Sequence, residues 1–120
     1  MIRTLALALL GVGLCSPTVA QTVSAGTYSV EGTNLDGSSY SGTARITLES
    51  DTTCSIEWQT GDTTSQGVCM LNDNAFAAGY MLEDAIGLVI YEVKGGGVLE
   101  GVWTITGKNG SGTEVLTLEE

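Results

Sequence analysis

The chain has 120 residues, 42% hydrophobic and 15% charged, with 17 Gly, one Pro and a net charge of −10. That length and composition call for one globular domain and exclude a wholly disordered or fibrous chain. The sequence contains no His, which removes the commonest general base and the commonest metal ligand.

The first twenty residues read as a signal peptide. Arg3 supplies the positive start, Leu5 to Leu14 the apolar stretch, and Thr18-Val19-Ala20 a small-residue cleavage site, so the mature chain is expected to span 21–120 as one domain. Leu14 stands before Cys15 where a lipoprotein signal carries a small residue, and Cys15 is therefore read as part of the signal. No later apolar run reaches spanning length, so the product is expected in the periplasm or outside the cell, with no membrane insertion. Cleavage leaves Arg45, Lys94 and Lys108, three basic residues against fourteen acids, or −11. This charge repels nucleic-acid phosphates and anionic lipid, so neither is an expected partner.

After Gln21, short alternating runs are cut by turn signals about every ten residues, which predicts an all-β domain. Eight strands are expected over 26–32, 40–50, 53–60, 65–71, 74–82, 86–94, 98–106 and 113–118. A one-residue slip moves every side chain of a strand to the other face, so the hairpins can be checked against each other. A loop centred on Gly37 pairs Val30 with Ala44, and one centred on Asp51 pairs Leu48 with Cys54. Gly61-Asp62 pairs Cys54 with Cys69, and Asp73-Asn74 pairs Tyr80 with Gly67. Asp84-Ala85 pairs Val89 with Tyr80, and the triple glycine at 95–97 pairs Tyr91 with Gly101. Asn109-Gly110, as a two-residue turn, pairs Trp103 with Leu116.

One inward row then runs through all eight strands. It holds Tyr28, Val30, Ala44, Ile46, Leu48, Cys54, Ile56, Trp58, Leu71, Phe76, Ala78, Tyr80, Val89, Tyr91, Val93, Leu99, Trp103, Ile105, Leu116 and Leu118. The unbroken parity predicts an eight-stranded antiparallel up-and-down meander closed as a small barrel, with a two-sheet sandwich of the same strand order as the alternative. Six inward aromatics (Tyr28, Trp58, Phe76, Tyr80, Tyr91, Trp103) predict a filled interior, the rings of Tyr80 and Tyr91 lying over the glycines opposite them, Gly67 and Gly101.

Cys54 and Cys69 fall opposite each other across a tight hairpin in an exported chain, which predicts a structural disulfide. Directly opposed residues lie about 4.5–5.5 Å apart at Cα, inside the range that bond accepts.

The outward faces differ. The first three strands present Thr27, Glu31, Arg45, Glu49 and Glu57, an ordinary solvated surface. Strands four to seven present Val68, Met70, Met81, Leu88, Ile90, Val98 and Val102, an apolar belt read as a candidate interface with another protein or a second copy.

Motifs for chemistry fail on inspection. Asn34-Leu35-Asp36-Gly37-Ser38 begins like a calcium loop but lacks the closing Glu, and reads as a turn. The Gly-rich Gly107–Gly112 segment opens no helix and cannot act as a phosphate cradle. Two thiols without His make no zinc site. No catalytic, cofactor or metal residue is therefore assigned, and the chain is expected not to be an enzyme.

Several blocks together carry a family likeness. Gly26-Thr27-Tyr28-Ser29-Val30-Glu31-Gly32, Tyr40-Ser41-Gly42-Thr43-Ala44, Cys54-Ser55-Ile56-Glu57-Trp58, Gly87–Glu92, Gly101-Val102-Trp103-Thr104 and Gly112–Leu116 resemble, in order and spacing, small exported proteobacterial proteins labelled "fibronectin-binding protein". The resemblance implies an exported protein that contacts a host matrix protein such as fibronectin, with no cofactor. The sequence-based expectation is thus a non-enzymatic binding protein acting through the apolar belt. Its alternatives are a lipocalin-like carrier of a small apolar ligand, or a periplasmic protease inhibitor using Gln21–Ala25.

Overall fold

A computed structural model describes residues 22–120; the signal peptide assigned to 1–20, with Cys15, lies outside the described residues. Eight strands follow one another: β1 (Gly26–Thr33), β2 (Ser39–Leu48), β3 (Thr53–Thr60), β4 (Thr63–Asn72), β5 (Ala75–Leu82), β6 (Ala85–Gly95), β7 (Val98–Ile105) and β8 (Gly112–Leu118). Each pairs antiparallel with the next, and β8 returns to pair with β1, so the sheet is a closed barrel and not a sandwich. Closure satisfies the backbone groups that an edge strand would leave open.

Alternation builds the interior. Tyr28, Val30, Ala44, Ile46, Ile56, Trp58, Phe76, Ala78, Val89, Tyr91, Val93, Leu99 and Leu116 are all buried, each from the expected inward row. Leu71, Tyr80, Trp103 and Leu118 pack against this core and are half-buried, and Ile105 is half-buried as well. Leu48 departs from the expectation, at 45% exposed. It is the last residue of β2, where the strand runs out of neighbours to cover it.

The expected registers hold at four hairpins: Leu48 with Cys54, Cys54 with Cys69, Gly67 with Tyr80, and Tyr91 with Gly101. The other three slide by an even number, which keeps the inward row intact. Val30 pairs with Gly42 rather than Ala44, and Tyr80 with Gly87 rather than Val89. The second shift arises because the turn is Glu83-Asp84, with Glu83 at φ 57°, a conformation that nothing in a Glu advertises. Trp103 pairs with Gly112, four residues before the expected Leu116. The loop after β7 runs from Thr106 to Ser111 and is tied down by Thr104 Oγ1 donating to the Gly110 carbonyl at 2.9 Å.

Sterics explain these slides. Directly paired across strands are Gly32 with Tyr40, Gly87 with Tyr80, Gly101 with Tyr91 and Gly112 with Trp103. In each pair the aromatic ring lies where a glycine Cβ would be. A ring inside so narrow a barrel needs a bare neighbour, and the register moves to supply one. Tyr80 accordingly covers Gly87 and not the expected Gly67, whose missing Cβ instead admits the backbone of Gly79 and Tyr80.

The disulfide is present. Cys54 and Cys69 are both buried, 5.0 Å apart at Cα, and joined by an S–S bond of 2.04 Å.

Candidate functional site

The two ends of the barrel are built from different material. The β2–β3, β4–β5 and β6–β7 turns close one end, where Ile46, Cys54, Cys69, Phe76, Val93, Leu99 and Leu116 pack into a solid apolar plug. Val23 covers it from outside the strands, and Tyr28 donates a hydrogen bond from its hydroxyl to the Ser24 carbonyl at 2.6 Å. Burial raises the pKa of Tyr28, partly offset by that bond.

The opposite end carries the β1–β2, β3–β4, β5–β6 and β7–β8 loops and is open. A cavity of about 160 Å³ there is lined by Tyr40, Trp58, Tyr80, Trp103 and Glu114, with Val89, Leu82 and the polar side chains of Asn34, Thr60, Thr63 and Ser65. The expectation of a filled interior is therefore corrected: one end is full and the other is hollow. Three of the glycine pairings lie at this end, where the rings of Tyr40, Tyr80 and Trp103 occupy the space beside Gly32, Gly87 and Gly112 on the neighbouring strands. Both tryptophans of the chain line this cavity.

Its walls are aromatic. Trp58 and Tyr80 lie 5.1 Å apart between ring centroids at 58°, and Tyr40 meets Trp103 edge-on at 6.2 Å and 80°. Tyr80 is held by its hydroxyl, which donates to the Thr104 carbonyl at 3.1 Å.

Glu114 is the one buried charged residue among the described residues, at 6% exposure. Tyr40 Oη donates to its Oε1 at 2.6 Å, and Trp58 Nε1 donates to its Oε2 at 2.9 Å. Tyr91 Oη donates to the same Oε2. Three strands that do not adjoin β8, namely β2, β3 and β6, thus converge on a single carboxylate across the lumen. A buried carboxylate requires such donors, since without them its desolvation would cost several kcal/mol, about 3 or more. Burial and then the Glu114 charge push the pKa of Tyr91 and Tyr40 well up, and the same causes push Tyr80 up to about 12.

No basic side chain balances this acid within the cavity. The only ion pair among the described residues is Lys94 with Glu92 at 3.5 Å, on the outer surface. Trp103 Nε1, also buried, has no acceptor among the described residues.

Sequence reasoning brought Trp58, Tyr80 and Trp103 to one interior but omitted Tyr40 and Glu114. Both share the inward parity of their strands, Tyr40 with Ala44 and Glu114 with Leu116, and parity alone would have found them. Tyr28 and Phe76 lie at the plugged end, and Tyr91 sits between the two regions, ring on Phe76 (5.8 Å) and hydroxyl on Glu114.

The candidate interface lies elsewhere, on the outer wall. Val68, Met70, Met81, Leu88, Ile90 and Val102 are each at least half exposed, and Ile86 (57% exposed) joins them. Val98 is half-buried. Registers make the patch continuous: Met70, Ala77, Ile90 and Val102 follow one another across β4 to β7, and Val68, Gly79 and Leu88 form the adjacent row. The Asn34–Ser38 segment forms the expected turn, with Ser38 donating to Asp36 Oδ1 from its hydroxyl at 2.6 Å and its backbone N–H at 2.9 Å. Those two bonds lower the pKa of Asp36.

No family model matches the chain, and no curated protein does. Solved structures do. A redesigned beta barrel is similar at TM-score 0.71 and 18% identity, covering 80% of this chain and 91% of that one. A de novo designed fluorescence-activating beta barrel matches at TM-score 0.65 and 16% identity, over 80% of this chain and 94% of its own. Another redesigned barrel, mFAP1 bound to DFHBI, matches at TM-score 0.66 and 19% identity, over 78% and 93% of the two chains. At these identities the likeness is one of fold.

Proposed function

We propose that the chain is an exported, non-enzymatic barrel that carries a small ligand in its open end. The observation that supports this most is the hollow around Glu114: an aromatic-walled cavity with one fixed polar group at its base, the usual make-up of a small-molecule site. A cavity of about 160 Å³ is comparable with one of ~150 Å³ that takes up benzene. The redesigned barrel mFAP1, of the same fold, is bound to DFHBI, an instance of such a barrel with a small guest. Export is favoured by the buried Cys54–Cys69 disulfide, which persists in oxidising compartments. Native mass spectrometry of protein purified from its own host tests the reading. A retained small mass, released on unfolding, is expected; protein running at its bare mass in every preparation would overturn it, and a co-purifying protease would favour the inhibitor instead.

The outer apolar patch favours a second activity, pairing with another copy of this chain. On a chain of net charge −10, a face whose charges (Glu92, Lys94, Glu100) sit only at its rim is where two copies meet with least repulsion. A shallow groove over Ala77 and Gly79, flanked by Val68, Met70 and Leu88, lies on this face, and a two-fold pairing would set the same face of each copy against the other. The mass in solution is expected to be that of a dimer, reduced to a monomer by Ile90→Lys. A wild-type monomer would overturn self-pairing, and a saturable titration with fibronectin at high salt would put the partner implied by the family resemblance on this face instead.

A further inference from the structure

Resting on the carrier reading, we propose that the ligand is a small organic cation, an alkylated ammonium head group held over Glu114 between the faces of Trp58, Tyr80, Tyr40 and Trp103. Four features of the open end point the same way.

The first is charge. The hydroxyls of Tyr40 and Tyr91 and the indole N–H of Trp58 are neutral donors. They satisfy oxygens of the acid without supplying a countercharge. With no basic residue among those lining the cavity, the hollow keeps a negative potential inside low-dielectric walls, where it acts more strongly than it would in water. Lys108 is exposed in the β7–β8 loop and does not line the cavity.

Aromatic walls are the second. Ring faces attract cations through their quadrupole, indole most strongly, and cages of Trp and Tyr are the standard receptor for quaternary ammonium groups. A metal ion would want a shell of oxygen ligands, and among the described residues no group of three or more acids or thiols is placed to supply one. An anion is disfavoured by burial first and by the acid of Glu114 second, the same two causes that raise the pKa values of Tyr40, Tyr80 and Tyr91.

Thirdly, the polar fringe fits. Thr60, Thr63, Ser65 and Asn34 ring the opening and offer neutral oxygens. An ammonium ion that keeps a short polar tail finds partners there. Finally, valence is left over: Oε2 of Glu114 accepts from both Trp58 and Tyr91, whereas Oε1 accepts from Tyr40 alone, so one lone pair remains on the side of the acid that faces Tyr40.

The test uses choline and its uncharged isostere, in which carbon replaces nitrogen. Because both tryptophans line the cavity, the whole indole fluorescence of the protein reports on occupancy. Titrations are run at high salt, which screens the exposed acids and leaves a buried one effective. Choline is expected to bind saturably and at least about tenfold more tightly than the isostere. Glu114→Gln is expected to abolish that preference while neutral binding persists. Should that variant fail to fold, Ser65→Lys at the rim places a resident ammonium beside Trp58, its cross-strand partner, and is expected to block choline in a folded barrel. Equal affinity for the two probes, or choline binding unaffected by either variant, would overturn the cation assignment and leave the carrier reading intact. If neither probe binds while native mass spectrometry retains another small mass, the cation assignment alone falls; if nothing is retained either, both fall together.

Discussion

The plugged end and the open end of this barrel are made from the same alternating strands, yet one is closed by apolar packing and a disulfide and the other is hollow. At the plug, Phe76, Ile46, Leu99 and Leu116 are all buried in the apolar core. At the mouth, Tyr40, Tyr80 and Trp103 turn flat against glycines of the neighbouring strand and leave the axis empty. Hollowness here goes with pairing, since each of these three rings has a bare glycine beside it on the neighbouring strand.

That division can be broken at the plug first. Phe76→Ala is expected to cost about 3–5 kcal/mol, as for other fully buried aromatic truncations. Tyr80→Ala, at the half-buried mouth, is expected to cost clearly less while removing ligand binding. Denaturant melts of the two variants check the ordering; equal losses would erase the distinction between the ends. Replacing Cys54 and Cys69 together with Ala opens a loop of sequence separation 15, with an expected loss of roughly 3 kcal/mol in the chain-entropy model. Ligand affinity at the far end should be unchanged once the protein is folded.

Alkali probes the buried phenols by a different route, with Tyr28 at the plug also raised by burial. The folded pKa values of Tyr40, Tyr80 and Tyr91 lie above the ordinary tyrosine value, so the folded state holds protons that the unfolded chain has released. Stability from this source is complete below about pH 10 and falls as the pH rises beyond it, for Tyr91 alone by up to ~1.4 kcal/mol per pH unit. Unfolding curves followed from pH 9 upward, in parallel with phenolate absorbance, check this. The buried phenols are expected to ionise only as the barrel opens, and Glu114→Gln is expected to weaken the dependence. The smallest effect belongs to a turn. Glu83 sits at φ 57°, and Glu83→Gly is expected to raise stability by about 1 kcal/mol, the order of the left-handed penalty for an L residue.

Much of this architecture was legible in the amino-acid order. Parity is robust because it survives any even slip, and every hairpin that moved did so by two residues or four. The inward row was therefore right at Tyr28, Trp58, Phe76, Tyr91 and Leu116 although Val30, Tyr80 and Trp103 had the wrong partners. Asn109-Gly110 misled because a favoured two-residue turn was outweighed by the need to bring Gly112 beneath Trp103. The site itself was less legible. Glu114 touches Tyr40, Trp58 and Tyr91 across the lumen, and cross-lumen contacts depend on barrel closure, which hairpin registers do not specify. Its charge also argued for solvent, although its parity placed it inside.

A buried acid among aromatic rings is the centre of the site, and the two tryptophans report on it separately. Trp58 Nε1 donates to Glu114, whereas Trp103 Nε1 is buried without an acceptor. In a two-dimensional nitrogen–proton NMR spectrum the Trp58 indole resonance is predicted to lie well downfield of that of Trp103. It should resist exchange with solvent and shift strongly in Glu114→Gln while Trp103 moves little. Two indole signals at matching positions, with neither responding to that substitution, would contradict the claim.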